Sequence, residues 1–281
     1  MNDNPSKRSV EHWLNSQEAV SDGIEVSIVV PAYNEEWRIP STLIDMIDYF
    51  DQRGSSYEII VVDDGSNDNT VQVVDKFRKI RSQLKLIRLP RNYGKGFAVR
   101  TGMLNAMGSL VLFADADGST PIKEVERLEA AITAGADLAF GSRAKPSTET
   151  NVKSRWYRKL LGRSFSFLVN LLLLPEISDT QCGFKMFKRP VAQYLFAKQE
   201  CDGFGFDLEI LYIAHKSVLK LAEVPVNWVH VAGSKVNLVI DAIKMFRDIF
   251  SFKFRHRSAS AKTFQSFVEQ YQEPISKAVS P

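Results

Sequence analysis

A chain of 281 residues with 44% hydrophobic and 25% charged side chains has ample material for a large folded core. A formal net charge of +3 is too slight to mark a nucleic-acid binder, and none is expected as a partner. Two cysteines, Cys182 and Cys201, without CxxC spacing exclude a disulfide scaffold and fit reduced thiols in a cytoplasmic protein.

Residues 1–24 are polar and aperiodic, with no apolar secretory core, and are expected to form a flexible tail. VSIVVPAYN (26–34) is an apolar run ending in polar residues, the pattern of a buried strand meeting a loop. Ile39, Leu43, Ile44, Ile47 and Phe50 recur at helical spacing over 36–53. YEIIVVDDGSND (57–68) repeats the strand-then-polar-loop pattern, and Thr70 to Ile80 is again helical in period. LKLIRLPRN (84–92) predicts a third strand, residues 96–107 a helix, and SLVLFADADGS (109–119) a fourth strand. ADLAFGSR (136–143) follows another helix. This alternation predicts an α/β fold with a mostly parallel sheet flanked by helices. Ligands of such sheets bind beyond the C-terminal strand ends. Asn34-Glu35, Asp63-Asp64, Asn92 and Asp115/Asp117 all fall there.

The acidic ends carry the chemistry. Asp115 and Asp117 alternate on what reads as an extended segment, so both carboxylates are expected on one side. Two hard carboxylates one step apart suit Mg2+ or Mn2+ bound jointly with a diphosphate, whose charge the metal would neutralise as it departs. The competing reading is a solvated Asp-rich turn. Asp63 and Asp64 are placed to accept hydrogen bonds from a base or ribose, while Ser66, Asn67 and Asp68 favour caps and turns. Gly94, Lys95 and Gly96 precede a helix whose N-terminus favours anions, although neither GxGxxG nor GxxxxGK[ST] is present.

In the second half, residues 155–174 place Arg155, Lys159, Arg163, Ser166 and Asn170 on one polar stripe of an otherwise greasy helix. Residues 237–257 form a second apolar-basic segment, with Phe250, Phe252 and Phe254 before Arg255, His256 and Arg257. No stretch reaches about 18 uncharged apolar residues, so no spanning helix is expected. Two such helices predict peripheral docking on an anionic membrane surface, at the cytoplasmic face. A dimer interface is the alternative.

PAYNEE (31–36), DDGSNDNT (63–70), NYGKGFAVRTG (92–102) and ADADGSTP (114–121) come in the order and spacing of family 2 glycosyltransferases, and the resemblance covers roughly residues 26–235. It implies a GT-A-type, Rossmann-like fold, a nucleotide-sugar donor and inversion at the sugar. It places Pro31, Tyr33 and Glu35 in the nucleotide pocket, Asp64 on the base or ribose, and Lys95 near the nucleotide. Asp115, Ala116 and Asp117 would lie at the metal and diphosphate, with Asp117 at the catalytic centre. DTQCGFK (179–185), FDLE (206–209) and EVPVNW (223–228) resemble the polyprenyl-phosphate sugar synthases of that family, above all the dolichyl-phosphate β-glucosyltransferases. The implied reaction moves glucose from UDP-glucose to a polyprenyl or dolichyl phosphate.

That acceptor has its own logic. A lipid phosphate is already anionic at neutral pH, so it needs cations to position it and no strong base. Arg143, Arg155, Arg158, Lys185 and Lys235 are the candidates. The alternative is a hydroxyl acceptor activated by Asp207 or Glu209 as general base. A third reading is a non-catalytic nucleotide-sugar-binding module. The expected layout is a transferase domain over 25–235, an amphipathic helix over 236–257 and a flexible tail over 258–281.

Overall fold

The structure of the protein, a computed structural model, describes residues 23–145, 147–153, 173–175, 177–231 and 251–277. The first two strands, β1 (Val26–Ala32) and β2 (Tyr57–Asp63), are buried at every residue. This is why they read as unbroken apolar runs: a parallel strand covered on both faces has no solvent side to alternate with. Helices α1 (Ile39–Arg53), α2 (Thr70–Arg78) and α3 (Lys95–Asn105) connect these strands to β3 (Leu84–Arg88) and β4 (Leu110–Ala114). Helix α4 (Val125–Thr133) then leads to β5 (Leu138–Ser142). A short pair, β6 (Val152–Lys153) and β9 (Trp228–Val229), forms a separate two-stranded sheet.

Strand β7 (Phe184–Lys188), helices α5 (Arg189–Lys198) and α6 (Phe206–Lys216), and strand β8 (Leu221–Pro225) complete a seven-stranded sheet of order β3-β2-β1-β4-β7-β5-β8. Every pairing is parallel except those of β7, which runs antiparallel to both β4 and β5. One apolar cluster lies between the sheet and α1, α2 and α4. The other gathers α3, α5 and α6 on the opposite face. Each fully buried Val, Ile, Leu or Phe there stabilises the fold by about 1.5–3 kcal/mol.

Two features of this topology place the site. The chain winds from β1 outward to β3 and then crosses back to β4 on the other side of β1, which opens a crevice at the carboxyl ends of β1 and β4. Because β7 is reversed, its start meets the end of β4: Ala114 pairs with Phe184, and the Asp115 amide donates to the Gly183 carbonyl at 3.1 Å. The segment preceding β7 is therefore delivered to the same crevice.

The C-terminus departs from expectation. Residues 261–277 form a helix, α7 (Ala261–Lys277), where a flexible tail was predicted. Phe264 and Val268 are buried, and the Tyr194 ring meets that of Phe264 edge-on at 5.0 Å. Ser260 and Thr263 cap the start reciprocally: the Ser260 amide donates to Thr263 Oγ1 at 3.0 Å, and the Thr263 amide to Ser260 Oγ at 3.3 Å. Phe252, predicted to face a membrane, is buried in the core, whereas Phe254 is 78% exposed. The rest of the two amphipathic segments lies largely outside the described residues; Leu173 and Leu174, at the end of the first, are buried. Among the described residues no helix is long and apolar enough to cross a membrane.

Helix α6 ends in a paired-bond cap, with the Leu219 amide donating to the Ala214 carbonyl and the Val218 amide to that of His215. The motif requires a left-handed residue at position 218, yet a β-branched valine holds φ +59 there, 75% exposed and with little packing to lose. Val218→Gly is expected to stabilise the protein by about 1 kcal/mol. This would be read as a higher urea midpoint at unchanged slope. A lower midpoint would show that the valine is not strained.

Candidate functional site

Four loops meet at the crevice, laced together by short polar side chains. Asn34, just past β1, adopts φ +53. Its amide donates to Ser66 Oγ at 2.8 Å, and its Oδ1 accepts the Asn67 amide at 2.7 Å. The Glu35 amide donates to Thr70 Oγ1 at 2.7 Å. The loops after β1 and β2 are thus one unit, with Pro31 buried in β1 and Tyr33 half-buried beside it. Asp68 serves the turn, accepting from Thr70.

Asp64 joins this unit to the third loop. Its Oδ1 accepts the Tyr93 amide at 2.8 Å and its Oδ2 the Gly94 amide at 2.9 Å, so it fixes the turn that opens α3. A carboxylate has about four acceptor sites, so capacity for a ligand remains. Burial, with Asp63 and Asp202 nearby, raises its pKa above the ordinary range despite those two amides. Asp63 accepts the Ser66 amide on Oδ2 at 3.2 Å, while its buried Oδ1 lacks a partner among the described residues.

The acidic pair at the end of β4 departs from the sequence expectation in one respect. The strand stops at Ala114 and the chain turns at Ala116 and Asp117, so extended-strand alternation does not orient the two carboxylates. The physical reason is a tight local turn: Gly118 takes φ +64, and Asp117 Oδ1 accepts the Ser119 amide at 2.9 Å. The Ala116 carbonyl accepts from Thr42 on α1 at 2.9 Å. Asp115 and Asp117 nevertheless share one field. Arg38, held by both oxygens of Glu35, comes within 3.8 Å of Asp117, and Lys95 lies 2.7 Å from Asp115. Burial and Asp117 push the Asp115 carboxyl upward, and Lys95 offsets only part of the rise. Crowded anionic oxygens of this kind fit a divalent cation. Among the described residues no group of three His, Cys, Asp or Glu side chains forms a self-sufficient metal cage. Two carboxylates would therefore need oxygens from the ligand to complete an octahedral shell.

Arg143, at the end of β5, lies on the other side. Asp179 accepts its backbone amide at 2.9 Å, its Nε at 2.7 Å and an Nη at 2.8 Å. Glu223 holds the Asp179 amide at 2.8 Å, and the Trp228 ring lies 5.6 Å from the guanidinium. The fork is locked in place, while its remaining N–H donors are left for an anion. Arg38 was not singled out from sequence, and Asp179, Glu223 and Trp228 stood only within the strings DTQCGFK and EVPVNW, with no role of their own. The repeated acidic-basic composition of these loops gave no pairing information.

Two expected site residues do not present themselves to a ligand. Lys185 is 1% exposed; it pairs with Asp207 and donates to the Cys182 carbonyl at 2.6 Å. Asp207 is 3% exposed and satisfied by that lysine. Lys185 as an acceptor cation and Asp207 as a free general base are therefore corrected to a buried structural pair between β7 and α6. Glu209 accepts the Cys201 amide at 2.8 Å and contacts His256 Nε2 at 2.7 Å, so it is engaged as well. Burial pushes the Cys182 thiol up to about 12, which keeps it protonated. Arg155, Arg158 and Lys235 lie outside the described residues.

Residues 27–196 match the family described as Glycosyl transferase family 2. The dolichyl-phosphate beta-glucosyltransferase of Drosophila melanogaster is 39% identical over 249 residues, spanning 84% of this chain and 76% of that protein. The enzyme of the same name from Saccharomyces cerevisiae is 40% identical, spanning 80% and 73%. The one from Homo sapiens is 37% identical, spanning 86% and 79%. Among solved structures, glucosyl-3-phosphoglycerate synthase from Mycobacterium tuberculosis, in complex with Mn2+ and uridine-diphosphate-glucose, shares the fold. Its TM-score is 0.58 at 20% identity, covering 87% of this chain and 82% of that one.

Gly183 tests the geometry directly. A Cβ at this position would overlap the Asp115 carboxylate. Gly183→Ala is expected to displace Asp115 and lower kcat/KM with a nucleotide-sugar by about 10²-fold, the scale for an ångström of misplacement. Undiminished turnover would mean that Asp115 is not where the chemistry happens.

Proposed function

The chain belongs to glycosyl transferase family 2, and from that premise we propose that it transfers glucose from UDP-glucose to a dolichyl or polyprenyl phosphate, inverting the anomeric carbon. The relatives named above carry that acceptor and a β-glucosyl product in their names. A β product from an α-linked nucleotide donor requires inversion. A neighbour in fold was crystallised with Mn2+ and UDP-glucose.

The observation that carries the acceptor assignment is the placement of Arg143. Its guanidinium is clamped by Asp179 within electrostatic reach of Asp115. An anchored cation beside a diphosphate-binding crevice is what an anionic acceptor needs. The hydroxyl-acceptor alternative needs a free general base, but Asp207 is bonded to Lys185, and Glu209 to the Cys201 amide and the His256 ring. A phosphate monoester has a second pKa of about 6, so at pH 7 it is mostly dianionic. One of its oxygens attacks C1, the bond from C1 to the UDP oxygen breaks, and UDP leaves; no proton has to move.

Asp115 and Asp117 are the residues that would hold Mg2+ or Mn2+ with the donor diphosphate. The ion would neutralise the charge developing on the leaving group. Asp64, Asp63, Tyr33, Pro31, Glu35 and Ala116 line the nucleotide side in this reading, and Arg38 holds Glu35 and faces Asp117. The protein works at a membrane surface as a peripheral enzyme. Trp37, next to Arg38, is 88% exposed and Phe254 78%, and exposed aromatics of this kind suit the headgroup region. Cys182 and Cys201 are free, in keeping with the cytoplasmic face.

With UDP-glucose, a short polyprenyl phosphate and Mg2+ or Mn2+, purified protein is expected to form the glucosyl phospholipid, and EDTA to abolish the product. Arg143→Lys keeps a charge beside Asp179 but loses the fork. It should raise KM for the lipid phosphate roughly tenfold, the scale of one charge-assisted hydrogen bond, with KM for UDP-glucose little changed. Transfer to a sugar hydroxyl at comparable rate, or full activity in EDTA, would overturn the reading.

A second measurement tests the location. The protein should co-sediment with anionic liposomes, and high salt should release only part of it, because screening weakens charge but not apolar burial. Phe254→Ser should reduce the salt-resistant fraction. Absence of co-sedimentation at every ionic strength would rule out surface binding.

A further inference from the structure

Lys95 is the first residue of α3, and its ammonium lies 2.7 Å from Asp115 Oδ1. The nitrogen also lies over the rings of Phe113, Phe204 and Phe206, 5.3 to 6.0 Å from their centres. A cation thus already occupies the carboxylate that a divalent ion would need. An ammonium and a divalent ion a few ångströms apart in a part-buried site repel strongly. One must yield, or an added anion must take the lysine away.

Comparison with the buried Lys185 shows which lysine is built to move. Lys185 is 1% exposed and has two acceptors, Asp207 and the Cys182 carbonyl. Lys95 is 22% exposed in its side chain and is held by Asp115. It also stands at a helix N-terminus, where an incoming diphosphate would meet a favourable dipole. We propose that Lys95 is the resident counter-cation of the metal site: it holds Asp115 while the site is empty and transfers to the donor's diphosphate when metal and nucleotide arrive. Metal and nucleotide therefore load as a pair, and metal alone is disfavoured. The inference rests on the metal reading given above.

Binding of Mn2+, followed by its paramagnetic resonance signal or by calorimetry without acceptor or sugar, tests this. Lys95→Met and Lys95→Gln are each expected to bind Mn2+ alone about tenfold or more tightly than wild type, within the usual range of coupling between ligands. The extra Mn2+ affinity gained on adding UDP should shrink by a similar factor. Lys95→Arg, which keeps the charge, should behave as wild type. If wild type binds Mn2+ with UDP, but both neutral variants bind Mn2+ alone no more tightly, the counter-cation role falls while the metal reading stands. If wild type takes up no Mn2+ even with UDP, both fall.

Discussion

The backbone hydrogen bond from Asp115 to Gly183 ties the last strand of the nucleotide half to a strand that runs the other way, and the site's geometry hangs on this junction. Had β7 been parallel to β4, its preceding loop would lie at the far end of the sheet. Reversed, it brings Asp179 to Gly183 against the carboxyl ends of β4 and β5. Asp115, Arg143 and Asp179 then share one crevice although up to 64 positions separate them in the chain. The approach is so close that position 183 has no room for a side chain beside Asp115.

Around that junction five acids each have a basic partner, while the buried Asp63 and Asp64 accept backbone amides instead. Glu35 pairs with Arg38, Asp115 with Lys95, Asp179 with Arg143, Asp207 with Lys185 and Glu209 with His256. Such pairs add little net stability, because desolvation offsets the attraction, but losing one partner strands a buried charge. Exposure separates the pairs that can meet a ligand from those that cannot. The side chains of Arg38, Lys95 and Arg143 are 16%, 22% and 32% exposed, against 1% for Lys185. The first three line the crevice, and the fourth closes the core between β7 and α6.

The alternation of apolar runs and polar loops made the sheet, its strand ends and the convergence of Glu35, Asp64 and Asp115 legible in the amino-acid sequence, because those follow from topology alone. Partner choice was not legible. Lys185 stands between Phe184 and Met186, where alternation reads it as a solvent-facing residue. Its strand is covered on both sides, and its burial is made possible by the acid on α6 together with the Cys182 carbonyl. The bond between Arg143 and Asp179 spans 36 positions and has no local signature. The local turn at Asp117 overrode the extended reading of the acidic pair. Helix α7 did have a signal in Ser260, Thr263 and the apolar spacing from Phe264 to Val268, but its polar composition masked it.

The position of Lys95 is set from far along the chain. Glu209 sits in the first turn of α6, where a carboxylate is favoured by the helix dipole, and it accepts the amides of Glu200 and Cys201. Those bonds hold the loop before α6, whose Asp202 carbonyl accepts the Phe97 amide at 3.2 Å. Gln199 closes the same joint, donating to the Gly96 carbonyl at 2.9 Å and the Cys201 carbonyl at 2.8 Å. Gly94 and Gly96 lie so close to this loop that a Cβ on either would strike its carbonyls. His256 completes the chain of contacts by capping Glu209. The segment that reads as an amphipathic appendage is thus bonded, through one carboxylate, to the turn that presents Lys95 to Asp115. A rigid support of this kind leaves the lysine side chain as the part of the joint free to respond when the charge in the crevice changes.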